Sequence, residues 1–340
     1  MCQLAQSSQA APTNVGRIHS VVSPFRARVR RALAAGLGTA AVAALAPLGL
    51  AQPAAAATTP ICTSAKNPAL AARLSRDIAS ALRGRYDTYA LSVWDQRTGV
   101  SCALHSSWHF DSASVVKATI MGAVLRRAED EHRYLDSFEV SNLRTMIENS
   151  DNQSATNLWD NLGMAELNHF LRLVGMTNTH LGEGGYWGLT QITAHDEMRL
   201  LDAFTDRTDV LSPAGKAYAL GLMGHVESDQ RWGTPYGTPA GVAAHNKNGW
   251  LPRASLGWRV HSIGVFTSKT KDYRMVVLTD NQSTMGYGIT TIERVALAVH
   301  DDLGRYNAPR AAAQTAPQLT PAAPSGTAGD GSAPYGTVKQ

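Results

Sequence analysis

Apolar and polar residues alternate along the central part of the chain in patterns that predict helices and strands. Between residues 67 and 83 an aliphatic residue recurs at every fourth position, which is the spacing of an amphipathic helix. Residues 89–94 and 100–104 are short apolar runs separated by a turn, as in a β-hairpin. A second helix is predicted over 113–127, and residues 139–225 are predicted to be mostly helical, with breaks at glycines.

Strand patterns return in the last third of this region. They cover residues 241–245, 258–266 and 273–279, and a closing helix is predicted from about 290 to 303. Strands from both ends can join one antiparallel sheet, while the helices between them form a separate lobe. The pattern therefore predicts an α/β (α+β) fold with a five-stranded antiparallel sheet flanked by helices, plus an all-helical lobe. A cleft between the two is the expected place for a functional site.

The two ends of the chain differ from this core in composition. Residues 1–57 contain five arginines, no lysine and no acidic residue, and they run into an apolar stretch that ends in four alanines. A basic start, an apolar centre and small residues at a cleavage position predict a secretory signal peptide. Residues 308–340 are rich in alanine, proline, glycine and threonine, which predicts a flexible tail. Residues 58–307 are thus the expected exported domain, located outside the cell.

Removal of the signal peptide changes the charge balance. The whole chain has 31 basic and 27 acidic residues, and the predicted mature protein keeps 26 of the basic ones because five arginines leave. A nearly neutral protein gives no indication of a nucleic-acid partner or of an anionic membrane surface. We expect a monomer that acts on a small molecule.

Two cysteines, Cys62 and Cys102, remain after Cys2 leaves with the signal peptide. An even pair in an exported chain predicts a disulfide, and two buried free thiols are the alternative.

Most common catalytic motifs are missing from the sequence. It contains no G-x-S-x-G, H-E-x-x-H, C-x-x-C or P-loop pattern, and its 11 histidines have no metal-ligand spacing, so no metal or cofactor is expected. Ser114 and Lys117, in contrast, are three residues apart at the start of a predicted helix and share one face. A serine nucleophile needs a base, and a buried lysine with a lowered pKa can supply it. The helix N-terminus would favour the developing alkoxide.

Two polar segments each allow two interpretations. Ser150-Asp151-Asn152 follows an amphipathic helix, so Asp151 could be an ordinary N-cap, or the loop could present Ser150 and Asn152 to the cleft. Lys247-Asn248-Gly249 follows a predicted strand. It could be an Asn-Gly turn, or it could place a cation and a backbone N–H group at the sheet edge opposite the nucleophile.

Taken together, the three segments resemble a known family. S-x-x-K, S-D-N and K-T-G in this order are the signature of class A β-lactamases and penicillin-binding proteins. Phe110 also matches, because that family has an aromatic residue four positions before the serine. Residues 179–181 and 193–198 resemble the entry and exit of the family's Ω-loop. The resemblance covers about residues 65–305.

The resemblance implies a set of catalytic residues. Ser114 would be the acylated nucleophile, Lys117 its base, and Ser150 the relay that carries a proton to the leaving nitrogen. The backbone N–H groups of Ser114 and Trp250 would form the oxyanion hole.

It also implies a set of substrate-binding residues, which are Asn152, Lys247, Asn248 and Gly249. Asn152 would hold the substrate amide, and Lys247 would attract the substrate carboxylate. Asn248 stands where the family has a hydroxyl residue, and its side-chain amide could still donate a hydrogen bond to that carboxylate.

A second departure concerns deacylation. Class A enzymes use an Ω-loop glutamate to activate water, and counting along the resemblance brings that position to about Gly185. Glu183 is the one acidic residue nearby. The leading hypothesis is therefore a β-lactamase-like serine acyl-hydrolase that opens β-lactams or related amides or esters and deacylates slowly. The alternatives are a penicillin-binding D,D-carboxypeptidase-like enzyme of the cell wall and a non-catalytic protein that binds β-lactams or peptidoglycan.

Overall fold

A computed structural model describes residues 59–85, 88–205 and 207–304 of the chain. The predicted signal peptide (1–57) and the predicted tail (308–340) lie outside the described residues.

The described residues contain a large antiparallel sheet and a short two-stranded ladder. The strands are β1 (Cys62–Thr63), β2 (Thr88–Asp95), β3 (Val100–Leu104), β4 (Phe110–Asp111), β5 (Gln191–Ile192), β6 (Ala243–Arg253), β7 (Gly257–Thr267) and β8 (Asp272–Gln282). The sheet has six strands in the order β1-β3-β2-β8-β7-β6, while β4 pairs with β5. The predicted number of five was therefore one too low. The additional strand is β1, and its two residues are too few to show a periodic pattern.

Seven α-helices surround this sheet in the described part of the chain. They are α1 (Pro68–Ala81), α2 (Val116–Asp130), α3 (Ser137–Glu148), α4 (Asn152–Val174), α5 (Ala194–Ala203), α6 (Pro213–Gly224) and α7 (Met285–Gly304). The predicted first, second and last helices are present, although α7 begins five residues earlier than the apolar pattern indicated. Gly163 has non-helical backbone angles and kinks α4. None of these helices combines the length and the apolar character needed to cross a bilayer.

The period of two along the strands separates the core into two layers. Val276 and Leu278 of β8 pack with the buried side chains of α2–α6, while Met275 and Val277 pack with α1 and α7. The helical lobe and the pair α1/α7 therefore lie on opposite faces of the sheet.

The disulfide predicted between Cys62 and Cys102 is present. The two cysteines are direct partners in the register of β1 and β3, so the bond ties the edge strand to its neighbour. The segment before α1 is thereby joined covalently to the sheet.

Glu293 on α7 provides a test of this packing. Its side chain is buried against the segment that leads into β6, where its carboxylate accepts a hydrogen bond from the Gly233 backbone N–H (3.4 Å). Burial raises the pKa of Glu293 from 4.5 to about 7. A carboxyl with a raised folded-state pKa favours folding at low pH, and this contribution is lost as the pH rises from about 4.5 through 7. We expect Glu293→Gln, which has no charge to bury, to be more stable than the parent at pH 8.

The measurement is the difference in thermal midpoint between Glu293→Gln and the parent at pH 5 and at pH 8. The difference should be larger at pH 8, because only there does the parent bury an ionised carboxylate. The same difference at both pH values would contradict the assignment.

Candidate active site

Ser114 lies in the single helical turn, Ala113–Val115, that leads into α2. The turn begins with Ala113 at φ 47°, a left-handed conformation that a residue with a Cβ adopts only when its surroundings impose it. The Ser114 side chain is fully buried, and its hydroxyl has no hydrogen-bond partner among the described residues. The predicted nucleophile is therefore held at the N-terminus of a helix with its hydroxyl unengaged.

Lys117, one turn later, connects the first two predicted motifs. Its fully buried side chain directs Nζ to the Ser150 carbonyl oxygen (2.5 Å), the Ser150 Oγ (3.1 Å) and the Asn152 Oδ1 (2.7 Å). Ser150 has φ 57° in the turn between α3 and α4. The S-x-x-K and S-D-N segments thus meet at the lysine ammonium.

Asp151 is the N-cap of α4, as one of the two interpretations of this segment predicted. Its carboxylate accepts a hydrogen bond from the Ser154 backbone N–H (2.7 Å) at the start of α4. Hydrogen bonds from Ser154 also lower the pKa of Asp151, which keeps the cap ionised. Capping by Asp151 fixes the direction in which α4 begins, and with it the position of Asn152.

Lys247 brings the third motif to the same point. It is fully buried on β6, and its Nζ lies 2.9 Å from the Ser150 Oγ and 2.8 Å from the Asn248 carbonyl oxygen. The Ser150 hydroxyl therefore lies within hydrogen-bond distance of two lysine side chains. When both lysines donate, they occupy its two lone pairs, and its own proton points elsewhere. This arrangement can pass protons between a lysine and a substrate atom.

Gly249 allows strand β6 to approach the nucleophile closely. A Cβ at this position would lie 2.8 Å from the Ser114 backbone nitrogen and 2.9 Å from that of Val115. The segment is an extended strand and not an Asn-Gly turn, because Gly249 pairs with His261 of β7. β6 is the edge strand of the sheet, so alternate backbone groups face away from β7.

Asn248 contradicts its predicted role. Its side chain is fully buried on the opposite side of β6 from Lys247, and its Nδ2 donates to the backbone carbonyls of Gln230 (2.8 Å) and Trp232 (3.0 Å). The period of two in a strand requires this, since neighbouring residues point to opposite faces. Asn248 anchors the segment before β6 and does not reach a substrate carboxylate in the cleft.

A buried network of charged and polar side chains surrounds Asp111, on the strand that precedes the Ser114 turn. The Asp111 carboxylate accepts hydrogen bonds from Arg259 Nε (3.1 Å) and Gln191 Nε2 (2.6 Å), and Arg253 NH1 lies 3.4 Å away. These contacts join β4, which precedes the Ser114 turn, to β5 and β7. The sequence analysis missed this network, although Arg259 in a predicted strand was a signal for a buried carboxylate partner.

No group of three histidine, cysteine or carboxylate side chains within residues 59–85, 88–205 and 207–304 is arranged to bind a metal ion.

Comparisons with known proteins agree with this geometry. Residues 139–303 match the sequence model of the beta-lactamase enzyme family, and the matched span includes Ser150 and Lys247. Over these residues the chain is similar to that family. A comparison with curated protein sequences gives no match.

Solved structures of beta-lactamases have the same fold. A class A beta-lactamase from Bacteroides cellulosilyticus aligns with a TM-score of 0.62 at 18% identity, covering 72% of this chain and 100% of that chain. A beta lactamase from Xanthomonas campestris aligns with a TM-score of 0.59 at 17% identity, covering 68% of this chain and 98% of that chain. PBP-A aligns with a TM-score of 0.58 at 18% identity, covering 68% and 96%. The predicted β-lactamase/transpeptidase-like fold is confirmed.

The loop between α4 and α5, residues 175–193, contains the segment that was predicted to be an Ω-loop. It is joined to β4, the strand that precedes the Ser114 turn, because β5 near its end pairs with β4. Glu183 is exposed in this loop. The structure gives it no contact that would make it a base for deacylation.

Trp187 is the functional-site residue that the sequence analysis did not single out. Its side chain is only 3% exposed, and the centre of its ring lies 5.0 Å from the Lys117 Nζ. Its indole N–H donates to the Thr156 hydroxyl (3.2 Å) on α4. An aromatic ring from the loop between α4 and α5 therefore lies beside the Lys117 Nζ. The available signal was a large aromatic residue two positions after the point where counting placed the missing glutamate.

Proposed function

We propose that the protein is an active-site-serine acyl-hydrolase that opens β-lactams or related amides and esters through an acyl-Ser114 intermediate. The observation that carries this proposal is the Ser150 hydroxyl between the Nζ atoms of Lys117 and Lys247, with Lys117 one helical turn after Ser114. Three motifs that are far apart in the sequence supply these groups, and together they can deliver and remove protons at one reacting centre.

Acylation follows from this arrangement. The Ser114 Oγ attacks the substrate carbonyl carbon and its proton passes to a neutral Lys117 Nζ. The negative charge on the carbonyl oxygen is met by the backbone N–H groups of Ser114 and Trp250. Collapse breaks the bond to nitrogen, which takes the Ser150 hydroxyl proton, and Lys117 returns its own proton to Ser150. The products are an ester on Ser114 and a neutral leaving amine.

Substrate binding is proposed for the residues around this centre. Asn152 holds the substrate amide from the first turn of α4. Lys247 attracts the substrate carboxylate across the cleft. Gly249 has no side chain, so the backbone of β6 can lie close beside the Ser114 turn.

Deacylation is proposed to be slow. General-base assistance is typically worth a factor of ~10²–10⁴ in rate, and the residue in contact with Lys117 from the Ω-loop is Trp187 rather than a carboxylate. Reaction with a chromogenic cephalosporin in a stopped-flow instrument should give a burst of about one enzyme equivalent. Intact-protein mass spectra taken at early times should show one adduct, on Ser114.

Glu183→Gln is the matched control for this experiment, and we expect the same burst and the same slow phase because Glu183 is exposed. Steady turnover without a burst or an adduct would disprove slow deacylation. If turnover were then lost in Glu183→Gln, that residue would be the base.

A cell-wall D,D-carboxypeptidase is the second candidate. The apolar ring of Trp187 lies beside Lys117, where a deacylating water would be needed. Slow deacylation favours the carboxypeptidase, since a peptidase of the penicillin-binding type is trapped by β-lactams as an acyl-enzyme. Release of D-alanine from a D-alanyl-D-alanine peptide, compared with hydrolysis of the cephalosporin, separates the two enzymes. A non-catalytic binding protein would show no labelling of Ser114 by a fluorescent penicillin on a denaturing gel.

We further propose that the protein is exported to the cell-wall side of the membrane and acts there as a monomer, where a β-lactam-opening activity would contribute to antibiotic resistance. The basic and apolar segment 1–57 and the disulfide between Cys62 and Cys102 support export.

A further inference from the structure

Trp187 is held in place by contacts on three sides. Its indole N–H is bonded to Thr156 on α4, and its ring face lies over the Lys117 Nζ. Its backbone carbonyl accepts a hydrogen bond from the Ser112 hydroxyl (3.4 Å), two residues before the nucleophile. A side chain with this many contacts in a buried position has little freedom to move aside during a reaction.

Lys117 also contacts the segment between α3 and α4. Ser150 and Asn152 lie within hydrogen-bond distance of Nζ, and the indole ring covers it from the loop. After acylation, Lys117 is neutral again and is a base within reach of the ester. A water molecule would have to stand beside Nζ to use it. The space next to the nitrogen is taken instead by a large apolar ring, which offers water no hydrogen-bond partner on its face.

We propose that Trp187 sets the lifetime of the acyl-enzyme by excluding water from the Lys117 side of the ester. This inference rests on the proposed acyl-serine function. It assigns slow turnover to an aromatic ring that fills the water position, and not only to the lack of a glutamate. Trp187 is thus a residue that determines whether the chain behaves as a hydrolase or as a protein that stays acylated.

The reaction that the ring blocks can be written in full. Water oxygen attacks the ester carbonyl carbon while its proton passes to the Lys117 Nζ. The bond between the carbonyl carbon and the Ser114 Oγ then breaks, and Oγ takes the proton from Lys117. The products are a carboxylic acid and the free serine, with no further reactant than water.

The test is Trp187→Ala, with acylation and deacylation rates measured separately. Benzylpenicillin is added, and the fraction of acylated protein is followed by intact-protein mass spectrometry after excess drug is removed. Removing the indole opens room for more than one water molecule, since each occupies about 30 Å³. We expect the deacylation rate constant to rise at least tenfold, while the acylation rate constant changes less than threefold. Trp187→Phe, which keeps a ring at this position, should retain most of the slow deacylation.

Tyr186→Ala is the matched control, because Tyr186 is the neighbouring aromatic residue of the same loop and is 44% exposed. It should leave both rate constants unchanged. A variant that merely loosened the site would lower acylation and deacylation together, so faster deacylation with a nearly unchanged acylation rate is specific to water exclusion. If Trp187→Ala lacks a cooperative melting transition, Trp187→Leu serves in its place, because leucine keeps part of the packing.

Two failures are distinguishable. If the parent protein is never acylated, the proposed function is wrong. If Ser114 is acylated in the parent and in Trp187→Ala, but deacylation of the variant is as slow as in the parent or slower, the role of Trp187 is wrong and the proposed function stands.

Discussion

Replacing Ser114 with alanine should abolish covalent labelling by a fluorescent penicillin and leave the fold intact. The reaction needs the Ser114 oxygen as the atom that forms the ester, and no substitute oxygen is introduced by alanine. The hydroxyl is buried and has no hydrogen-bond partner among the described residues, so its removal leaves no buried polar group unpaired. We therefore expect the thermal midpoint of Ser114→Ala to stay within a few degrees of the parent.

Ser141→Ala is the matched control, since Ser141 is an exposed serine on α3 outside the cleft. It should be labelled like the parent. Labelling that persists in Ser114→Ala, confirmed by mass spectrometry of the intact chain, would disprove the assignment of Ser114 as the nucleophile.

Gly249→Ala should have the second-largest effect. We expect the acylation rate to fall by about 10²–10³-fold, which is the range seen when one oxyanion-hole donor is removed. The added Cβ would lie 2.8 Å from the Ser114 backbone nitrogen, and neither backbone can give way without moving the other. Strand β6 must shift outward, which carries the Trp250 N–H group away from the position where the oxyanion forms. Overpacking of this kind destabilises the fold by about 1–3 kcal/mol, so part of the effect should appear as a lower thermal midpoint.

Gly221→Ala is the control for the glycine substitution itself. Gly221 lies on α6, and a Cβ there meets no atom within 4 Å. This variant should keep the parental rate of labelling and be slightly more stable, because alanine favours a helix. A Gly249→Ala protein that reacts with penicillin at the parental rate would show that β6 does not need this close approach.

The parts of the fold that the sequence predicted well are those where one face is apolar and the other polar. α1 and the hairpin β2–β3 follow their periodic patterns closely. β6 was predicted to end at residue 245 but continues to Arg253. Both faces of β6 are polar in this stretch, because Lys247 faces the cleft and Asn248 binds backbone carbonyls on the other side. An alternating apolar pattern cannot exist there, and the strand was missed for that reason.

In the candidate site, too, the residues with a local sequence pattern were predicted well and those placed by long-range contacts were not. The S-x-x-K spacing is local, so the placement of Ser114 and Lys117 on one helical face could be read from the sequence. The error over Asn248 came from the unknown extent of the strand, since a residue's face is defined only once its strand is known. Trp187 lies in a loop whose path depends on the pairing of β5 with β4 and on the bond to Thr156, and neither contact leaves a periodic signal.

Strand β8 is the element that joins the two halves of the sheet. It lies between β2 and β7, so Thr88 near the start of the domain pairs with Asp280 near its end. Pairings between distant parts of a chain form slowly, because the intervening loop must be closed first. During synthesis, β2–β3 and β6–β7 can each form as hairpins, but no strand connects them until residue 272 onward has been made. The six-stranded sheet can therefore close only late in synthesis, once β8 has been made.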